Sequence, residues 1–359
     1  AADAAGRATA VMGTLGVKFQ ALQAYSGRTT PEAPAVHAAL TALGEAGADI
    51  VAMEVSSHAL SLHRVDGLVF DVAVFLGLTQ DHLDFQGSME SYFEAKRSLF
   101  VASRAKRAVV NVDDDWGRQL AASIAIPFVT YGLSADADWS ARDVSIAVDG
   151  RTSFTAVGPD CELAVTISMP GGFNVANALA ALATLDALGI DLNEAATGLQ
   201  TVAVPGRFEY IPNERGIAAY ADYAHTPDAV ARVLAVARAA TRGKLFVVLG
   251  CGGDRDPVKR PLMGAAAAAV GDVVIVTDDN PRSEDPALIR DAILAGIEGA
   301  NVLEIADREA AIRTAVATAR PGDCIMVLGK GHETGQEAAG IIHPFDDREV
   351  LREALGATS

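Results

Sequence analysis

Between residues 205 and 359 the apolar positions come in short unbroken runs: Ala218–Asp222, Leu245–Gly250, Val273–Thr277 and Ile325–Gly329, with a weaker run at Val302–Ile305. Runs of this length, separated by helix-length stretches, predict strands buried on both faces of a parallel sheet with helices between them. Residues 1 to about 125 alternate in the same way, with "ADIVAMEV" and "LVFDVAVFLGL" as strands, which again predicts a parallel α/β sheet. From 128 to 168 the pattern changes. "VSIAVDGRTSFTAV" sets Asp149-Gly150 between two alternating runs and "VGPDCELAVTISM" adds a third, predicting a small antiparallel meander. "FNVANALAALATLDALG" then reads as an alanine-rich helix, with Asn174 as N-cap and Gly189 as its stop. "VAVPGRFEY" marks a boundary, so two domains are expected, 1–204 and 205–359, the second a Rossmann-like α/β unit.

Composition narrows the class. Half the residues are hydrophobic and 21% are charged, as in ordinary globular proteins. No apolar run approaches the ~18 residues that span a bilayer, and no secretory signal is present, so no membrane insertion is expected. Cys161, Cys251 and Cys324 are far apart and form no CxxC pair, which fits a reducing cytoplasm and excludes a disulfide framework. The net charge of −17 argues against a nucleic-acid surface. It leaves room for anionic small ligands, because placed cations and bound metal ions override the global field locally.

The candidate chemistry lies at strand ends. In the second domain "FVVLG" runs into "CGGDRD", "VVIVT" into "DDNPRSED", and "CIMVLG" into "KGHETG". C-terminal strand ends of a parallel sheet share one edge, where ligands bind, so Arg255, Asn280, Arg282, Lys330, His332 and Glu333 are expected to converge. "GCGGDRD" lacks the third glycine of a dinucleotide fingerprint, position 255 being arginine, and is no evidence for NAD. Two arginines can clamp a carboxylate, while Glu333 and Asn280 suit a protonated amine; the loops read as a pocket for a zwitterionic amino acid.

In the first domain, Ser88 is a good N-cap, and Tyr92, Phe93, Leu99 and Phe100 form the apolar stripe of the helix that follows. Lys96 falls on that stripe. It is either a lysine whose ammonium reaches the surface or a functional group brought near Glu54, His58, Asp81, His82 and Asp84, where a carbamate on its amine would serve as a metal ligand.

In order along the chain, "GTLG", "TTPEAP", "MEVSSHALSLHRV", "DHLDF", "EAKRSLF", "FNVANALAA", "VPGRFE", "DYAHTPDA", "GCGGDRD", "DNPR" and "GKGHETGQ" resemble the Mur ligases of peptidoglycan synthesis, over essentially the whole chain. The resemblance implies a P-loop-type central ATPase domain, carrying the small meander, followed by the Rossmann-like C-terminal domain. It implies ATP and Mg²⁺ as cofactors. The substrates it implies are UDP-N-acetylmuramoyl-L-alanyl-D-glutamate, whose D-glutamate γ-carboxylate is phosphorylated, and a diamino acid whose amine displaces the phosphate. By the same resemblance Thr29, Thr30, Ser56 and Arg64 contact the UDP-muramoyl-dipeptide. Glu54, His82 and a carbamylated Lys96 hold Mg²⁺, and Asn177 lies beside adenine. Arg207 and Asp222 contact the nucleotide across the domain cleft and, with Lys96, form the catalytic group. Arg255, Asn280, Arg282, Gly329 and Glu333 form the pocket for the incoming amino acid. In the family "DNPR" accompanies meso-diaminopimelate: Arg282 would hold the carboxylate that L-lysine lacks, penalising lysine by several kcal/mol.

The chain also departs from the pattern. The family's G-x-x-x-x-G-K-[ST] loop and its uridine-holding N-terminal domain do not occur in the 359 residues. The β- and γ-phosphates would then lack their cradle, and this chain by itself is expected to be an inactive fragment. Leu76 and Gly77 stand where the family usually has Thr and Asn, and Gln86 where His is common. The competing readings are a lysine-adding or folylpolyglutamate-type ligase, disfavoured by "DNPR" and by "VSSHAL…HRV" respectively, and a non-catalytic homologue lacking the P-loop.

Overall fold

The computed structural model of the chain describes residues 1–24, 27–79, 86–147, 151–299 and 301–356. They form two compact units, one of residues 1–168 and 172–202, the other of residues 169–171 and 203–359.

The first unit opens with β1 (Thr9–Gly13), β2 (Gly16–Phe19), β3 (Leu22–Ala24), helix α1 (Ala33–Glu45), β4 (Ile50–Met53) and the short α2 (Ser57–Ser61). β1 pairs with β4 in parallel, but β2 and β3 fold back antiparallel, giving the order β3-β2-β1-β4. This corrects the all-parallel expectation: "MGTLGV" is a tight reversal, with Gly16 at φ 86 in the left-handed region that glycine tolerates. Next come β5 (Phe70–Phe75), α3 (Met89–Arg97), β6 (Ala105–Asn111), α4 (Asp115–Ser123) and β7 (Phe128–Tyr131). β5, β6 and β7 make a separate parallel sheet in that order, so residues 128–131 belong to it and not to the meander. The meander itself is β8 (Ser140–Ile146), β9 (Thr152–Val157) and β10 (Glu162–Ile167), all antiparallel; its Asp149-Gly150 turn lies outside the described residues. α5 (Gly172–Ala187) and α6 (Leu192–Leu199) complete the unit. Asn174 is buried within the first turn of α5 rather than capping it, because the helix begins two residues earlier. Gly189 follows the helix at φ 71, as a terminating glycine should.

The second unit contains β11 (Glu209–Tyr210), β12 (Ala218–Asp222), α7 (Pro227–Ala240), β13 (Leu245–Leu249), α8 (Lys259–Ala268), β14 (Val273–Val276), α9 (Pro286–Leu294), β15 (Asn301–Glu304), α10 (Arg308–Thr318), β16 (Cys324–Leu328), β17 (Gly335–Ala338), β18 (Ile341–Pro344) and α11 (Asp347–Leu355). The main sheet runs β11-β12-β16-β13-β14-β15, parallel throughout except at β11. Every residue of β13, β14 and β16 is buried, which is why these strands are uninterrupted apolar runs. Each fully buried valine, isoleucine or leucine contributes about 1.5–3 kcal/mol of transfer free energy. One cluster, including Phe246, Val248, Ile275, Ile312, Ile325 and Leu351, forms the core on one face of the sheet. The parallel strands put the loops after β12, β13, β14 and β16 on one edge.

Candidate functional site

In the second unit, two residues on that edge occupy the left-handed region without being glycine: Asp254 (φ 53) and Arg282 (φ 51). Such backbone costs roughly 1–2 kcal/mol and persists only where neighbours over-determine it. They do so here. Gly253 N donates to Asn280 O at 2.8 Å, and Ser283 Oγ donates to Asp254 Oδ1 at 2.7 Å. Arg260 Nη2 donates to Glu284 Oε1 at 2.8 Å, which also accepts the Asp254 amide. The loops after β13 and β14 are thereby stitched together. The Arg260 bond holds Glu284 below the usual carboxylate range, and the Ser283 bonds do the same for Asp254.

Arg282 is pinned on both sides. Its N–H donates to Glu337 O (3.0 Å) and its carbonyl accepts from Ala339 N (2.7 Å), tying it to the β17–β18 hairpin. Nη1 donates to Gly253 O at 2.7 Å, and Nε lies 3.2 Å from Glu337 Oε2. Nη2 has no protein acceptor among the described residues. A Cβ on Gly252 would come within 2.9 Å of Arg282 Nη1 and 3.8 Å of Arg255 Cγ, so the two arginines flank that glycine. Arg255 is exposed, with Nη1 on the carbonyl of Asp254.

Asn280 is buried, and its amide sits between Glu333 Oε2, to which Nδ2 donates at 2.8 Å, and the Glu337 amide, which donates to Oδ1 at 2.9 Å. Gly329 (φ 112) lets the chain after β16 pass Asp279: a Cβ there would meet Asp279 Oδ2 at 2.5 Å. The expected convergence of Asn280, Arg282, Gly329 and Glu333 is therefore present, with Arg255 at its rim. Lys330 joins them on the expected edge, though the sequence assigned it no specific role, and Asp279 was not foreseen. Lys330 is wholly buried, with Nζ 3.0 Å from Asn280 Oδ1, 3.3 Å from Glu333 Oε2 and 3.9 Å from Asp279 Oδ1.

Arg207 and Asp222 lie at the same edge. The Arg207 guanidinium stacks 4.4 Å from the Tyr223 ring centroid, and Tyr223 lies 5.2 Å from the His332 ring. Both Asp222 oxygens are taken by backbone amides, Oδ2 by Phe208 (2.6 Å) and Oδ1 by Ala224 (2.7 Å). Burial pushes the Asp222 carboxyl upward, opposed by those two bonds and by Arg207. Asp222 thus shapes the turn that presents Arg207.

In the first unit the "TTPEAP" and "MEVSSH" stretches meet. Thr30, buried, donates from Oγ1 to Glu54 O (2.9 Å) and accepts the Ser56 amide (3.1 Å), while Arg64 Nη1 donates to Thr30 O (3.2 Å). Ser56 Oγ caps α2 by accepting Ala59 N at 3.1 Å. Glu54 Oε2 accepts from Thr14 Oγ1 at 2.7 Å, and Thr14 Oγ1 lies 3.0 Å from Thr29 Oγ1. Thr29, Thr30, Glu54, Ser56 and Arg64 therefore form one network. Thr14, distant in sequence, is its unforeseen member. Gly77 sits at φ 122 with Asp114 Oδ2 only 2.8 Å from where a Cβ would stand, so a family-type asparagine would not fit this backbone.

Lys96, near the end of α3, is half-buried with Nζ 5.3 Å from the Tyr92 ring centroid, while the neighbouring Arg97 pairs with Glu94 at 2.9 Å. Asn177 is exposed on α5 and donates to Asn174 Oδ1 at 3.3 Å. His82 lies outside the described residues. Among the described residues no group of three or more His, Cys, Asp or Glu could hold a metal. Glu54 alone suits a hard, oxygen-ligated cation such as Mg²⁺, since Oε1 has no protein partner among them. No helix is long and apolar enough to cross a membrane, again among the described residues.

Residues 1–185 match the Mur ligase middle domain and residues 206–331 the Mur ligase glutamate ligase domain. The chain belongs to the Mur ligase family. It is 49% identical to a protein of Streptomyces avermitilis named UDP-N-acetylmuramoyl-L-alanyl-D-glutamate–2,6-diaminopimelate ligase, over 98% of this chain and 71% of that one. A like-named relative from Corynebacterium glutamicum is 47% identical over 98% of this chain and 70% of its own length. A solved structure under the same ligase name is 36% identical, with a TM-score of 0.69 over 99% of this chain and 74% of that one. The folylpolyglutamate synthase of Mycobacterium tuberculosis, solved with ADP and AMPPCP, shares the fold (TM-score 0.74) at 17% identity.

Proposed function

We propose that this chain supplies the middle and glutamate ligase domains of an enzyme that forms, with ATP, the amide bond between the D-glutamate γ-carboxylate of UDP-N-acetylmuramoyl-L-alanyl-D-glutamate and an amine of meso-diaminopimelate, in peptidoglycan synthesis. The observation that carries the acceptor is the joint placement of Arg282, Asn280 and Glu333 on one strand-end edge, in a chain 49% identical to a 2,6-diaminopimelate ligase. A carboxylate is a poor acyl donor. Transfer of the γ-phosphoryl of ATP to it gives an acyl phosphate and ADP; the neutral amine then attacks the acyl carbon, phosphate departs with the C–O electron pair, and the nitrogen loses a proton.

On this reading residues 1–204 bind nucleotide and the UDP-linked substrate, and residues 205–359 bind the acceptor. Thr29, Thr30, Ser56 and Arg64 form a rigid surface for the UDP-muramoyl-dipeptide, and Asn177 offers an exposed amide to adenine. Arg207, stacked on Tyr223, directs a guanidinium at phosphate, with Asp222 as its positioning residue. Arg282 Nη2 and Arg255 receive the distal carboxylate of the acceptor, while Glu333 receives its ammonium through Oε1, held in place by the Asn280 amide. Mg²⁺, held by Glu54, His82 and a carbamate on Lys96, would neutralise phosphoryl charge when bound. Three free cysteines, two of them buried, accord with a reducing cytoplasm as its setting.

The test is acceptor-dependent phosphate release by the full gene product, with meso-diaminopimelate compared with L-lysine. Turnover with diaminopimelate alone is expected; turnover with lysine alone would overturn the assignment of Arg282.

A further inference from the structure

Lys330 has 0% exposure, directly after β16. Removing an ammonium from water costs several kcal/mol unless its protons find acceptors. Two of its three find them, in Asn280 Oδ1 (3.0 Å) and Glu333 Oε2 (3.3 Å), with Asp279 Oδ1 at 3.9 Å. Asn280 Nδ2 closes the ring by donating to the same Glu333 Oε2 at 2.8 Å. An ammonium can only donate, so it must face Oδ1 of the amide; Nδ2 is thereby turned to the carboxylate. Glu333 is gripped through one oxygen by two donors, leaving Oε1 without a protein partner among the described residues.

The charges support the same reading. Asp279 and Glu333 bear two formal negative charges against Lys330, and the buried Arg308 that also interacts with both is already matched by Asp347, so the cluster keeps one unbalanced negative charge. An acceptor ammonium completes it.

We infer that Lys330 is a positioning residue for the acceptor: without touching substrate, it orients, directly and through the Asn280 amide, the Glu333 carboxylate whose open Oε1 receives the acceptor's ammonium, and so sets acceptor affinity. This rests on the acceptor pocket proposed above.

The experiment uses the full gene product with Lys330→Met, Glu333→Gln and the double variant, measuring KM for meso-diaminopimelate, for ATP and for the UDP-linked substrate, together with kcat. K330M is expected to raise acceptor KM by about 10- to 100-fold, within the range of coupled neighbours. The other two KM values should stay within about twofold, the tolerance for uncoupled sites. If Lys330 acts through Glu333, the double variant matches E333Q alone within that same tolerance; additive losses would overturn the inference. An unchanged acceptor KM in K330M, with E333Q still impaired, would overturn it too and leave the pocket intact. An unchanged acceptor KM in E333Q would instead remove the pocket reading itself. Should K330M not fold, as judged by its melting temperature and ATP KM, Lys330→Gln (neutral, and still a donor) carries the same comparisons.

Discussion

Arg308 and Asp347 meet in a two-bond pair inside the second unit, Nε to Oδ1 and Nη2 to Oδ2 both at 2.7 Å, with neither side chain exposed. Arg308 Nη2 also donates to Leu328 O at 2.8 Å, and Nη1 reaches Asp278 O at 3.4 Å. One guanidinium thus ties α10 and α11 to the ends of β14 and β16, from which the loops carrying Asn280, Arg282 and Glu333 spring. Burial opposes its charge, but Asp347, together with Asp279 and Glu333, outweighs this and holds its pKa raised.

Removing one partner of such a pair strands the other. Arg308→Met is expected to cost about 3–5 kcal/mol of unfolding free energy. Arg308→Met with Asp347→Leu should cost much less, because no unpaired charge remains. Urea denaturation of the unaltered protein and the two variants checks both statements, and a double variant as unstable as the single one would contradict them.

Arg282→Ala should weaken kcat/KM for meso-diaminopimelate by about 2–5 kcal/mol, roughly 30- to 4,000-fold. L-Lysine, which presents no distal carboxylate, should lose little. Steady-state kinetics with both acceptors reads the narrowing directly; equal losses would show that Arg282 only supports the loop.

Acid should loosen the seam between the loops after β13 and β14. Glu284 titrates below its ordinary 4.5 in the folded chain, chiefly through Arg260. The stability it contributes is therefore present above pH 4.5 and is lost as pH falls through the lower folded value. The melting temperature should drop on acidification below 4.5, and Glu284→Gln should drop less steeply there, though starting lower at neutral pH. Parallel pH profiles for the two proteins would refute this.

Thr14→Val removes the 2.7 Å donor that orients Glu54. If Glu54 ligates Mg²⁺, loss of this outer partner should raise the Mg²⁺ concentration for half-maximal activity by about 10- to 100-fold. A Mg²⁺ titration of turnover measures it, with the melting temperature as the control for folding.

The parts of this architecture that show in the sequence are those where one physical requirement dominates. β12, β13, β14 and β16 are buried on both faces, so they must be continuous apolar runs, and their ends fall within a residue of expectation. Asn280, Arg282 and Glu333 were legible because a parallel sheet sends its C-terminal loops to one edge whatever their sequence. The β17–β18 hairpin was not read, although Ala339 (φ 50) and Gly340 (φ 78) form its turn; the segment that pins Arg282 was missed with it. Burial of a lysine or arginine leaves no mark on a polar loop or an amphipathic helix, so the roles of Lys330 and Arg308 emerged only from their partners. Thr14 and Glu54, forty positions apart, are joined by a fold-back at β1–β2 that was read as one more parallel strand.

The backbone at Arg282 suits asparagine or glycine better than arginine, since φ 51 brings Cβ against the following carbonyl. A laboratory selection that rewarded only heat resistance would set the roughly 1 kcal/mol of backbone strain relieved there against the loss of the guanidinium's bonds to Gly253 and Glu337. Where relief of strain won, and on the role proposed for Arg282, the survivors would be sturdier proteins with a blunter choice of amino acid. On that proposed role, a campaign to harden this ligase keeps the diamino acid in the screen, so that discernment is not traded for durability at that single position.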